Sequence, residues 1–448
     1  MSQLIVSVAG VRGVVGDSLT PPAILPSLAA FGEIMRGKTV VVGGDGRPSF
    51  EPLHHLVLGV LTASGCRVRD AGIVPTPTVG LLVRELRAAG GVMITASHNP
   101  APWNGLKFFN RHGRFFDTGE NAALAALRDR GDWTFADWKH AGSIQPVRDP
   151  LEAHIAWVLA FVKQAGGKAR RRRLKVVVDA VNGAASVIGP ALIRRMGCDV
   201  TAIHTDQGRP FPRPAEPLPQ NLGRLSARVK AEKADVGFGL DPDGDRLAVV
   251  DETGRPLGEE RTLVLAAHWY LTNFGRTALV ANLSTTRALD DVAAAFGVPL
   301  HRTPIGEINV VKKMIAVRSR LGGEGNGGAI VPAVHPGRDA STAMAIFISL
   351  LRQTGKPLSA VNALYPDYAM VKDKVRIEGL RPEQIYERLL AAFPDRAGVD
   401  TGDGLKILFS DAWLHVRPSG TEPILRLFAE APAPSAARNL IAAAKQCL

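Results

Sequence analysis

Cysteines and long apolar runs are both scarce in this sequence. Its 448 residues contain no stretch of 18 consecutive apolar residues, so the sequence predicts no membrane span. The three cysteines, Cys66, Cys198 and Cys447, lie too far apart to suggest a zinc site or a disulfide framework, which predicts a reducing, cytoplasmic location. The N-terminal segment has no basic start and reaches Arg12 early, so it predicts no signal peptide.

Positive charge is in excess in this chain. The formal net charge is +12, which favours an anionic partner, either nucleic acid or a sugar phosphate. The densest basic run spans residues 168–175 and has no interleaved aromatic side chains, so it is typical of a solvated linker. We therefore expect no nucleic-acid partner, although a nucleic-acid-binding protein would also explain the charge.

A loose internal repeat indicates the domain organisation. Three segments share the order strand, loop, helix, glycine turn and strand, and they begin at Thr39, Val176 and Leu279. A glycine after each helix is the expected C-terminal stop. Strand–helix–strand units of this size build sheets with helices on their faces. The pattern predicts an α/β protein with three tandem related α/β domains, each a mixed sheet flanked by helices.

The C-terminal part has a different pattern. From about Tyr368, short strands and one strong hairpin alternate with two helical stretches, Pro382–Phe393 and Ser435–Lys445, which predicts a smaller α+β domain. Residues 395–406 are polar and glycine-rich, and they predict a connector. The predicted domains cover residues 1–150, 151–254, 255–366 and 367–448.

One serine lies on an irregular segment directly after an apolar strand. The segment TASHNP covers residues 95–100 and follows the strand-like run Gly91–Ile94. Serine is a poor nucleophile without help, and His98 and Lys107 are close enough in sequence to Ser97 to supply proton transfer or charge. Serine, asparagine and proline also favour turns, so an ordinary turn is the alternative.

Three aspartates occur within five residues, in the segment DPDGDR at 241–246. Alternate residues of an extended loop point the same way, so Asp241, Asp243 and Asp245 can converge on one hard cation such as Mg²⁺. The flanking runs predict two strands, which places the loop at a hairpin tip. An EF-hand is excluded because neither a helix nor a glutamate follows in register. An acidic hairpin tip without a cation is the alternative, although its like charges would repel.

Another hairpin carries groups that suit phosphate. Residues 417–423, RPSGTEP, lie between strand-like runs at 414–416 and 424–427. The backbone N–H groups around Gly420, two hydroxyl groups and a guanidinium group can form a phosphate-binding nest, and Arg426 can return to it. An ordinary hairpin turn is the alternative.

A glycine-rich segment, GGEGNGG at 322–328, predicts an irregular loop. It has no lysine and no GK[ST] continuation, so it is not a Walker loop. A neutral-to-acidic loop suits sugar hydroxyl groups better than phosphate. A plain flexible loop is the alternative.

Taken together and in this order, these segments resemble the α-D-phosphohexomutase superfamily. The likeness covers nearly the whole chain and includes GVRG at 10–13, GDGRPS at 44–49 and Thr76-Pro77. The resemblance implies four domains around a central cleft, each contributing one loop. It also implies transfer of a phosphoryl group between a phosphoserine and a hexose phosphate, with a hexose 1,6-bisphosphate as the intermediate and Mg²⁺ as the cofactor.

The resemblance implies a role for each segment. Ser97 is the phosphoserine, and the phosphoserine and the three aspartates of the DPDGDR loop hold Mg²⁺. The implied catalytic residues beside Ser97 are Arg12, His98, Lys107 and Arg246. The implied substrate-binding residues are Glu324, Asn326, Arg417, Ser419, Gly420, Thr421 and Arg426.

The glycine-rich sugar loop departs from a common family pattern, GExSGH. Asn326 replaces the serine and Gly328 replaces the histidine. The GEGNGG form resembles an archaeal-type branch that includes phosphoglucosamine mutases, which implies interconversion of glucosamine 6-phosphate and glucosamine 1-phosphate. The alternative is a phosphomannomutase/phosphoglucomutase. The contact of the missing imidazole is left open, and His335 is one candidate to replace it.

Other functional classes stay open at this level. A metal-dependent phosphomonoesterase would also use a serine and a cation, and a non-catalytic sugar-phosphate-binding protein would need the same binding residues. We expect no membrane partner, and we expect a monomer or a homodimer.

Overall fold

The chain divides into two compact units. The computed structural model describes residues 3–7, 10–166, 172–376, 381–419 and 424–448. The first unit comprises Met1–Thr262 and Gly327–Ser359, and the second comprises Leu263–Asn326 and Ala360–Leu448. Within the described ranges, every helix is too short or too polar to cross a bilayer.

The N-terminal part of the first unit is a seven-stranded mixed sheet. Its strands are β1 (Ile5–Ser7), β2 (Gly10–Val14), β3 (Thr39–Gly44), β4 (Arg67–Ile73), β5 (Gly90–Ile94), β6 (Trp103–Asn110) and β7 (Ser143–Pro146). Its helices are α1 (Pro21–Ile34), α2 (Phe50–Ala63), α3 (Thr76–Glu85), α4 (Thr118–Arg130) and α5 (Pro150–Gln164). The strand order is β1-β2-β6-β5-β3-β4-β7, in which β3 runs parallel to β4 and β5 whereas β6 runs antiparallel to β5.

Side chains of β3 pack on both faces of this sheet. Val40 and Val42 belong to one apolar cluster, which contains Phe31 of α1. Val41 belongs to a second cluster, which contains Val79 of α3. Successive side chains of a strand point to opposite faces, so an uninterrupted valine run suits a strand that helices cover on both sides.

The second sheet of the first unit has four strands. They are β8 (Lys175–Asp179), β9 (Asp199–Ile203), β10 (Val236–Leu240) and β11 (Leu247–Asp251), with helices α6 (Ala185–Arg195) and α7 (Gly223–Glu232) and a short 3₁₀ turn at Pro219–Asn221. The order is β11-β10-β8-β9. β8 is parallel to β9 and β10, and β10 forms an antiparallel hairpin with β11.

The third repeat lies in the second unit, after helix α8 (Glu260–Phe274). It contains β12 (Leu279–Asn282), α9 (Ala288–Phe296), β13 (Leu300–Thr303), α10 (Glu307–Ala316) and β14 (Leu321–Glu324). β12 is parallel to both β13 and β14. Each predicted repeat therefore contains a pair of parallel strands joined by a helix.

Residues 327–359 belong to the first unit again. They form the antiparallel pair β15 (Gly328–Val331) and β16 (His335–Arg338), followed by α11 (Ala340–Thr354). Most of α11 is buried, which suits its almost entirely apolar sequence. Helix α12 (Leu358–Asn362) leads back into the second unit.

The C-terminal part is an antiparallel sheet with two helices. The strands are β17 (Ala369–Arg376), β18 (Gly398–Asp400), β19 (Leu405–Leu408), β20 (Trp413–Pro418) and β21 (Ile424–Ala431), and the helices are α13 (Pro382–Ala392) and α14 (Pro434–Gln446). The strand order is β17-β21-β20-β19-β18, and every adjacent pair is antiparallel. The predicted fold class, three α/β repeats followed by a smaller α+β part, is confirmed. The predicted residue boundaries of the four domains stay a prediction.

Two segments that were predicted to be irregular contain strands. Residues 395–406, predicted as a connector, include β18 and the start of β19. The glycine-rich segment supplies the end of β14 and the start of β15. A Cβ atom on Gly322 would lie 2.6 Å from Sδ of Met314 in α10 and 2.7 Å from the carbonyl oxygen of Val280. The prediction of an irregular loop at 322–328 was wrong because glycine here permits close packing between a strand and its neighbours. The composition of the segment alone does not reveal this role.

Candidate active site

Ser97 is the third residue after the end of β5. Its backbone is in the left-handed region, with φ of +52°, and the residue is 6% exposed. The hydroxyl oxygen of Ser97 is 3.5 Å from Nδ1 of His98. A buried non-glycine residue with positive φ is costly and often marks a functional site.

The three aspartates of the DPDGDR loop form one buried cluster between β10 and β11. Asp241, Asp243 and Asp245 are completely buried, and one carboxylate oxygen from each lies within 4.8 Å of the others. Oδ2 of Asp241, Oδ1 of Asp243 and Oδ1 of Asp245 are buried and have no hydrogen-bond partner among the described residues. Buried polar atoms without partners are costly, so this oxygen set fits a bound metal ion.

The other oxygen of Asp241 is held by the loop itself. Oδ1 of Asp241 accepts hydrogen bonds from the backbone N–H groups of Asp245 and Arg246, both at 3.1 Å. The guanidinium group of Arg246 lies 3.1 Å from Oε1 of Glu216 and 3.7 Å from Oδ1 of Asp245. The loop conformation therefore orients Asp241, and Arg246 offsets part of the negative charge.

The remaining oxygens are held by residues from distant elements. Nζ of Lys107, in β6, donates to Oδ2 of Asp243 at 2.8 Å, and Oγ1 of Thr76, in α3, donates to the same oxygen at 2.7 Å. Nη2 of Arg338, at the end of β16, donates to Oδ2 of Asp245 at 2.7 Å. Each aspartate thus has one oxygen bound by the protein and one buried oxygen without a hydrogen-bond partner among the described residues.

The electrostatics of this cluster also favour a cation. Burial raises the pKa of Asp241 well above its usual range, and the charges of Asp245 and Asp243 add to this effect. Burial opposes ionisation of Asp243 as well, but the ammonium group of Lys107 and its hydrogen bond hold the pKa of Asp243 below its usual range. A metal ion would allow all three carboxylates to be charged.

His98 belongs to the serine loop, and Arg12 contacts that loop from β2. The charge of Arg246 and burial together hold the pKa of His98 well below its usual range, so its imidazole is neutral at pH 7. Nη1 of Arg12, in β2, donates to Oδ1 of Asn99 at 3.3 Å. The structure therefore places Arg12 on the serine loop and His98 beside Ser97.

Glu324 lies in the second unit at the end of β14 and is nearly buried. Its Oε1 accepts hydrogen bonds from Nδ2 of Asn282 at 2.9 Å and from the backbone N–H of Gly306 at 3.1 Å. Nδ2 of Asn326 lies 3.4 Å from Oε2 of Glu324, and Oδ1 of Asn326 is a buried acceptor without a hydrogen-bond partner in the described chain. These groups could bind hydroxyl donors of a ligand.

Arg417 and Arg426 pair directly across the β20–β21 hairpin. Opposed residues of antiparallel strands share a face, so both guanidinium groups are on one side of the sheet. Nε of Arg417 donates to Oδ1 of Asp403 at 3.2 Å, and Oδ2 of Asp403 accepts from the backbone N–H of Ile305 at 2.8 Å. The backbone N–H of Ser419 donates to the carbonyl of Ile424 at 2.8 Å.

Gly420 and Thr421, which were predicted to bind phosphate, lie outside the described residues. Ser97, His98, Lys107, Arg12, Arg246 and the three aspartates all lie in the first unit, whereas Glu324, Asn326, Arg417, Ser419 and Arg426 lie in the second.

His335 does not suit the role of a replacement imidazole. It is 2% exposed, and a Cβ atom on Gly80 of α3 would lie 2.3 Å from its Cε1 atom. Burial lowers the pKa of His335 to about 3. The side chain is thus enclosed by its own unit, and solvent or a sugar has little access to it.

Four contact residues of the site were not identified from the sequence as partners of these groups. Thr76, Arg338, Asn282 and Asp403 each hold a proposed site residue. Thr76 belongs to the Thr76-Pro77 pair that resembles the family, but nothing in that pair indicates the hydrogen-bond partner of Thr76. Arg338, Asn282 and Asp403 lie outside the motifs that indicate a function in the sequence.

Comparison with known proteins agrees with this geometry. Four domains of the phosphoglucomutase/phosphomannomutase family match in order: α/β/α domain I at residues 3–134, α/β/α domain II at 153–254, α/β/α domain III at 258–368 and the C-terminal domain at 374–445. These matches span most of the chain and include every site residue named above.

Two curated relatives and one solved structure illustrate the likeness. A probable phosphoglucosamine mutase of Methanopyrus kandleri is 36% identical over 437 residues, covering 96% of this chain and 95% of the relative. A phosphoglucomutase/phosphomannomutase of Thermococcus kodakarensis is 35% identical over 440 residues, with the same coverage. The crystal structure of a family member from Burkholderia thailandensis superposes with a TM-score of 0.83 at 26% identity, covering 99% of this chain and 98% of that one. The chain therefore belongs to the phosphoglucomutase/phosphomannomutase family of phosphohexomutases.

Proposed function

We propose that this phosphohexomutase interconverts hexose 6-phosphate and hexose 1-phosphate through a phosphoserine at Ser97. The observation that carries this proposal is the presence, in one compact unit, of a buried serine loop in a strained conformation and a cluster of three buried carboxylates, with the charges of Arg246 and Asp243 acting on His98 of the serine loop. In the first half-reaction, phosphoserine 97 gives its phosphoryl group to a sugar hydroxyl group and a hexose 1,6-bisphosphate forms. In the second, Ser97 takes the other phosphoryl group back.

The proton balance of the second step can be written with residues of this chain. Oγ of Ser97 forms a bond to phosphorus while the bond from phosphorus to the sugar oxygen breaks. The proton of the Ser97 hydroxyl group passes to a base, for which the neutral imidazole of His98, 3.5 Å away, is the candidate. The released sugar oxygen takes up one proton and becomes a hydroxyl group, so the step neither gains nor loses a proton overall. Lys107, Arg12 and Arg246 supply positive charge near the moving phosphoryl group.

We further propose that the metal is Mg²⁺, held by the three unpartnered oxygens of Asp241, Asp243 and Asp245. Hard oxygen ligands with several carboxylates suit this ion. When bound, Mg²⁺ neutralises charge on the phosphoryl group. The phosphate of phosphoserine 97 would add a fourth oxygen to this set.

The phosphate that does not react is proposed to bind at Arg417, Ser419, Gly420, Thr421 and Arg426. Glu324 and Asn326 are proposed to bind sugar hydroxyl groups. A fixed phosphate clamp makes the two orientations of the bisphosphate equivalent, because either phosphate can occupy it while the other meets Ser97. The excess positive charge of the chain favours such a polyanion.

Glucosamine phosphate is the proposed preferred sugar, with a phosphomannomutase/phosphoglucomutase as the second candidate. The name of the M. kandleri relative supports the first, and that of the T. kodakarensis relative supports the second. Glu324 and Asn326 can read hydroxyl groups that glucose, mannose and glucosamine share, so activity on more than one hexose phosphate is expected.

Measuring kcat/KM for the phosphates of glucosamine, mannose and glucose side by side tests the sugar preference. If the glucosamine value falls below roughly a hundredth of the mannose value, a gap of about 2.7 kcal/mol, the second candidate is correct.

The phosphoserine is tested with Ser97→Ala and a matched control, Ser64→Ala. Ser64 is another buried serine of the first unit, directly after α2, and its hydroxyl group donates to the carbonyl of Val60 in that helix. Intact-mass measurement should show roughly 80 Da of added phosphate on the wild type and on Ser64→Ala, but not on Ser97→Ala. Ser97→Ala should also lose nearly all mutase turnover, and near-wild-type turnover would refute the covalent mechanism.

Two other classes predict different results in the same assays. A sugar-phosphate-binding protein without catalysis would bind glucose 1-phosphate but would not interconvert the isomers. A phosphomonoesterase would release inorganic phosphate rapidly. We also propose a reducing, cytoplasmic location, with Cys66 and Cys198 as buried free thiols, and a monomer or a homodimer.

A further inference from the structure

Two buried polar side chains without an assigned role bind the backbone of Ser97, and a third buried side chain binds both of them. We propose that Asp45, Arg47 and Thr95 form a positioning cradle for the nucleophile, here called the Ser97 cradle. They would act through the backbone of the serine loop and would not touch the substrate. The inference rests on the proposed function, because it takes Ser97 as the group that accepts the phosphoryl group.

Arg47 is the centre of this cradle. Its side chain and that of Asp45 are both inaccessible to solvent, and Nε of Arg47 donates to Oδ2 of Asp45 at 2.8 Å. Nη2 of Arg47 donates to the carbonyl oxygen of Ser97 at 2.7 Å. Nη1 of Arg47 reaches the carbonyl oxygens of Pro100, at 3.3 Å, and Trp103. One guanidinium group therefore binds both ends of the serine loop.

Thr95 holds the other side of the Ser97 backbone. Oγ1 of Thr95 accepts a hydrogen bond from the backbone N–H of Ser97 at 2.8 Å and donates to Oδ2 of Asp45 at 2.6 Å. The N–H and C=O groups of Ser97 are thus both bound, and both partners converge on one carboxylate oxygen of Asp45.

The sheet register explains why these residues meet. β3 and β5 are adjacent and parallel, and Gly44 pairs with Ile94 at their carboxyl ends. Asp45 directly follows β3, and Thr95 directly follows β5. The backbone N–H of Asp45 donates to the carbonyl of Ile94 at 3.1 Å. Functional groups at the carboxyl ends of neighbouring parallel strands are a recurring arrangement in α/β folds.

The cradle accounts for the unfavourable backbone conformation of Ser97. A non-glycine residue at φ of +52° persists only when its surroundings enforce it, and here two buried hydrogen bonds do so. A buried ion pair is seldom a net source of stability, but it can specify one conformation. Since phosphoryl transfer depends strongly on alignment, a loop that relaxed by about 1 Å would slow the step about a hundredfold.

The test uses Thr95→Val, which keeps the side-chain shape and removes the hydroxyl group. Thr95→Ser restores that group. The matched control is Thr78→Val, a completely buried threonine of the first unit whose hydroxyl group bonds Nδ1 of His154 at 2.8 Å. Each full-length variant is dephosphorylated and then mixed with Mg²⁺ and glucose 1,6-bisphosphate. Phosphorylation of Ser97 is followed by quenched intact-mass measurement, and the Kd of the bisphosphate and the melting temperature are measured separately.

We expect Thr95→Val to slow phosphorylation of Ser97 by about 10- to 100-fold, with the Kd of the bisphosphate changed less than about threefold. Thr95→Ser should return the rate to within a few-fold of the wild type. Thr78→Val should lower the melting temperature about as much as Thr95→Val but keep the wild-type rate. Arg47→Lys keeps a positive charge near Asp45 but lacks the planar guanidinium group whose separate nitrogen atoms reach Asp45, Ser97 and Pro100, so it should also slow the step.

Three results would overturn the inference, and they are distinguishable. Wild-type rates for Thr95→Val and Arg47→Lys would show that the cradle does not position Ser97. Equal slowing in Thr78→Val and Thr95→Val, in proportion to their melting temperatures, would show a purely structural role. A wild-type protein that never acquires phosphate on Ser97 would refute the proposed function itself, and this inference with it.

Discussion

Lys406 is a buried lysine, and we expect it to make the stability of the second unit depend on pH. It lies on β19 and is 4% exposed, and its Nζ atom donates to the carbonyl oxygen of Leu283 and lies 4.3 Å from the centre of the Trp413 ring. Burial and, to a smaller extent, the nearby charge of Arg302 lower the pKa of Lys406 to about 7. Both effects disfavour the ammonium form in the folded chain.

The sign and size of this pH dependence follow from the difference in the number of protons that the folded and the unfolded chain bind. An unfolded lysine has a pKa of about 10.4, so between about pH 7 and pH 10.4 the unfolded chain binds more protons at this position than the folded chain. The free energy of unfolding therefore rises with pH in this range. The stabilisation is complete above the pKa of the unfolded lysine and is lost as the pH falls towards 7. Its slope is about 1.4 kcal/mol per pH unit, so it amounts to about 2 kcal/mol between pH 8 and pH 9.5.

The assay compares wild type with Lys406→Met by urea unfolding at pH 8 and pH 9.5, followed by tryptophan fluorescence. The cost of leaving the Leu283 carbonyl without its donor is nearly the same at both pH values, so it cancels in the comparison. We expect the stability of wild type relative to Lys406→Met to increase by about 2 kcal/mol between pH 8 and pH 9.5.

The matched control is Lys374→Met, at an exposed position on β17 of the same sheet. The stability difference between wild type and Lys374→Met should change much less between pH 8 and pH 9.5, because the side chain of Lys374 is exposed in the folded chain. A stability difference between wild type and Lys406→Met that is the same at pH 8 and pH 9.5 would refute the reasoning.

Two further substitutions test contacts that the structure adds to the site. Asp403→Asn removes the carboxylate that orients the arginine of the proposed phosphate clamp, so glucose 1-phosphate and glucose 6-phosphate should each bind about tenfold more weakly by calorimetry. The control is Asp400→Asn, since Oδ1 of Asp400 accepts from the backbone N–H of Gly402 and the residue is exposed. It should leave both affinities unchanged, and equal effects of the two variants would contradict a role for Asp403 in orienting Arg417. Gly183→Ala would place a Cβ atom 2.4 Å from the carbonyl oxygen of Pro242 inside the aspartate loop, so it should weaken Mg²⁺ binding measured by calorimetry. Gly59→Ala, at a helical glycine with open space around it, is the control, and unchanged Mg²⁺ affinity in Gly183→Ala would show that the loop tolerates the shift.

The sequence by itself determined the features that depend on neighbouring residues. The three strand–helix–strand repeats and the C-terminal α+β pattern are visible because hydrophobic periodicity and glycine stops act over a few residues. The cluster of Asp241, Asp243 and Asp245 is visible for the same reason, since three alternate carboxylates on one loop can converge whatever surrounds them. Glycines were less informative, because a glycine needed for close packing resembles a glycine needed for flexibility.

Only the tertiary structure decided which distant side chains complete the site. Asp243 meets Lys107 and Thr76, which are 136 and 167 positions away, and Asp245 meets Arg338, 93 positions away. The cradle of Asp45 and Thr95 likewise depends on the register between two parallel strands. These contacts arise from sheet order and helix packing, which bring together the ends of elements far apart in the chain. A buried charge must find a partner in three dimensions, and no local pattern in the sequence records which one it finds.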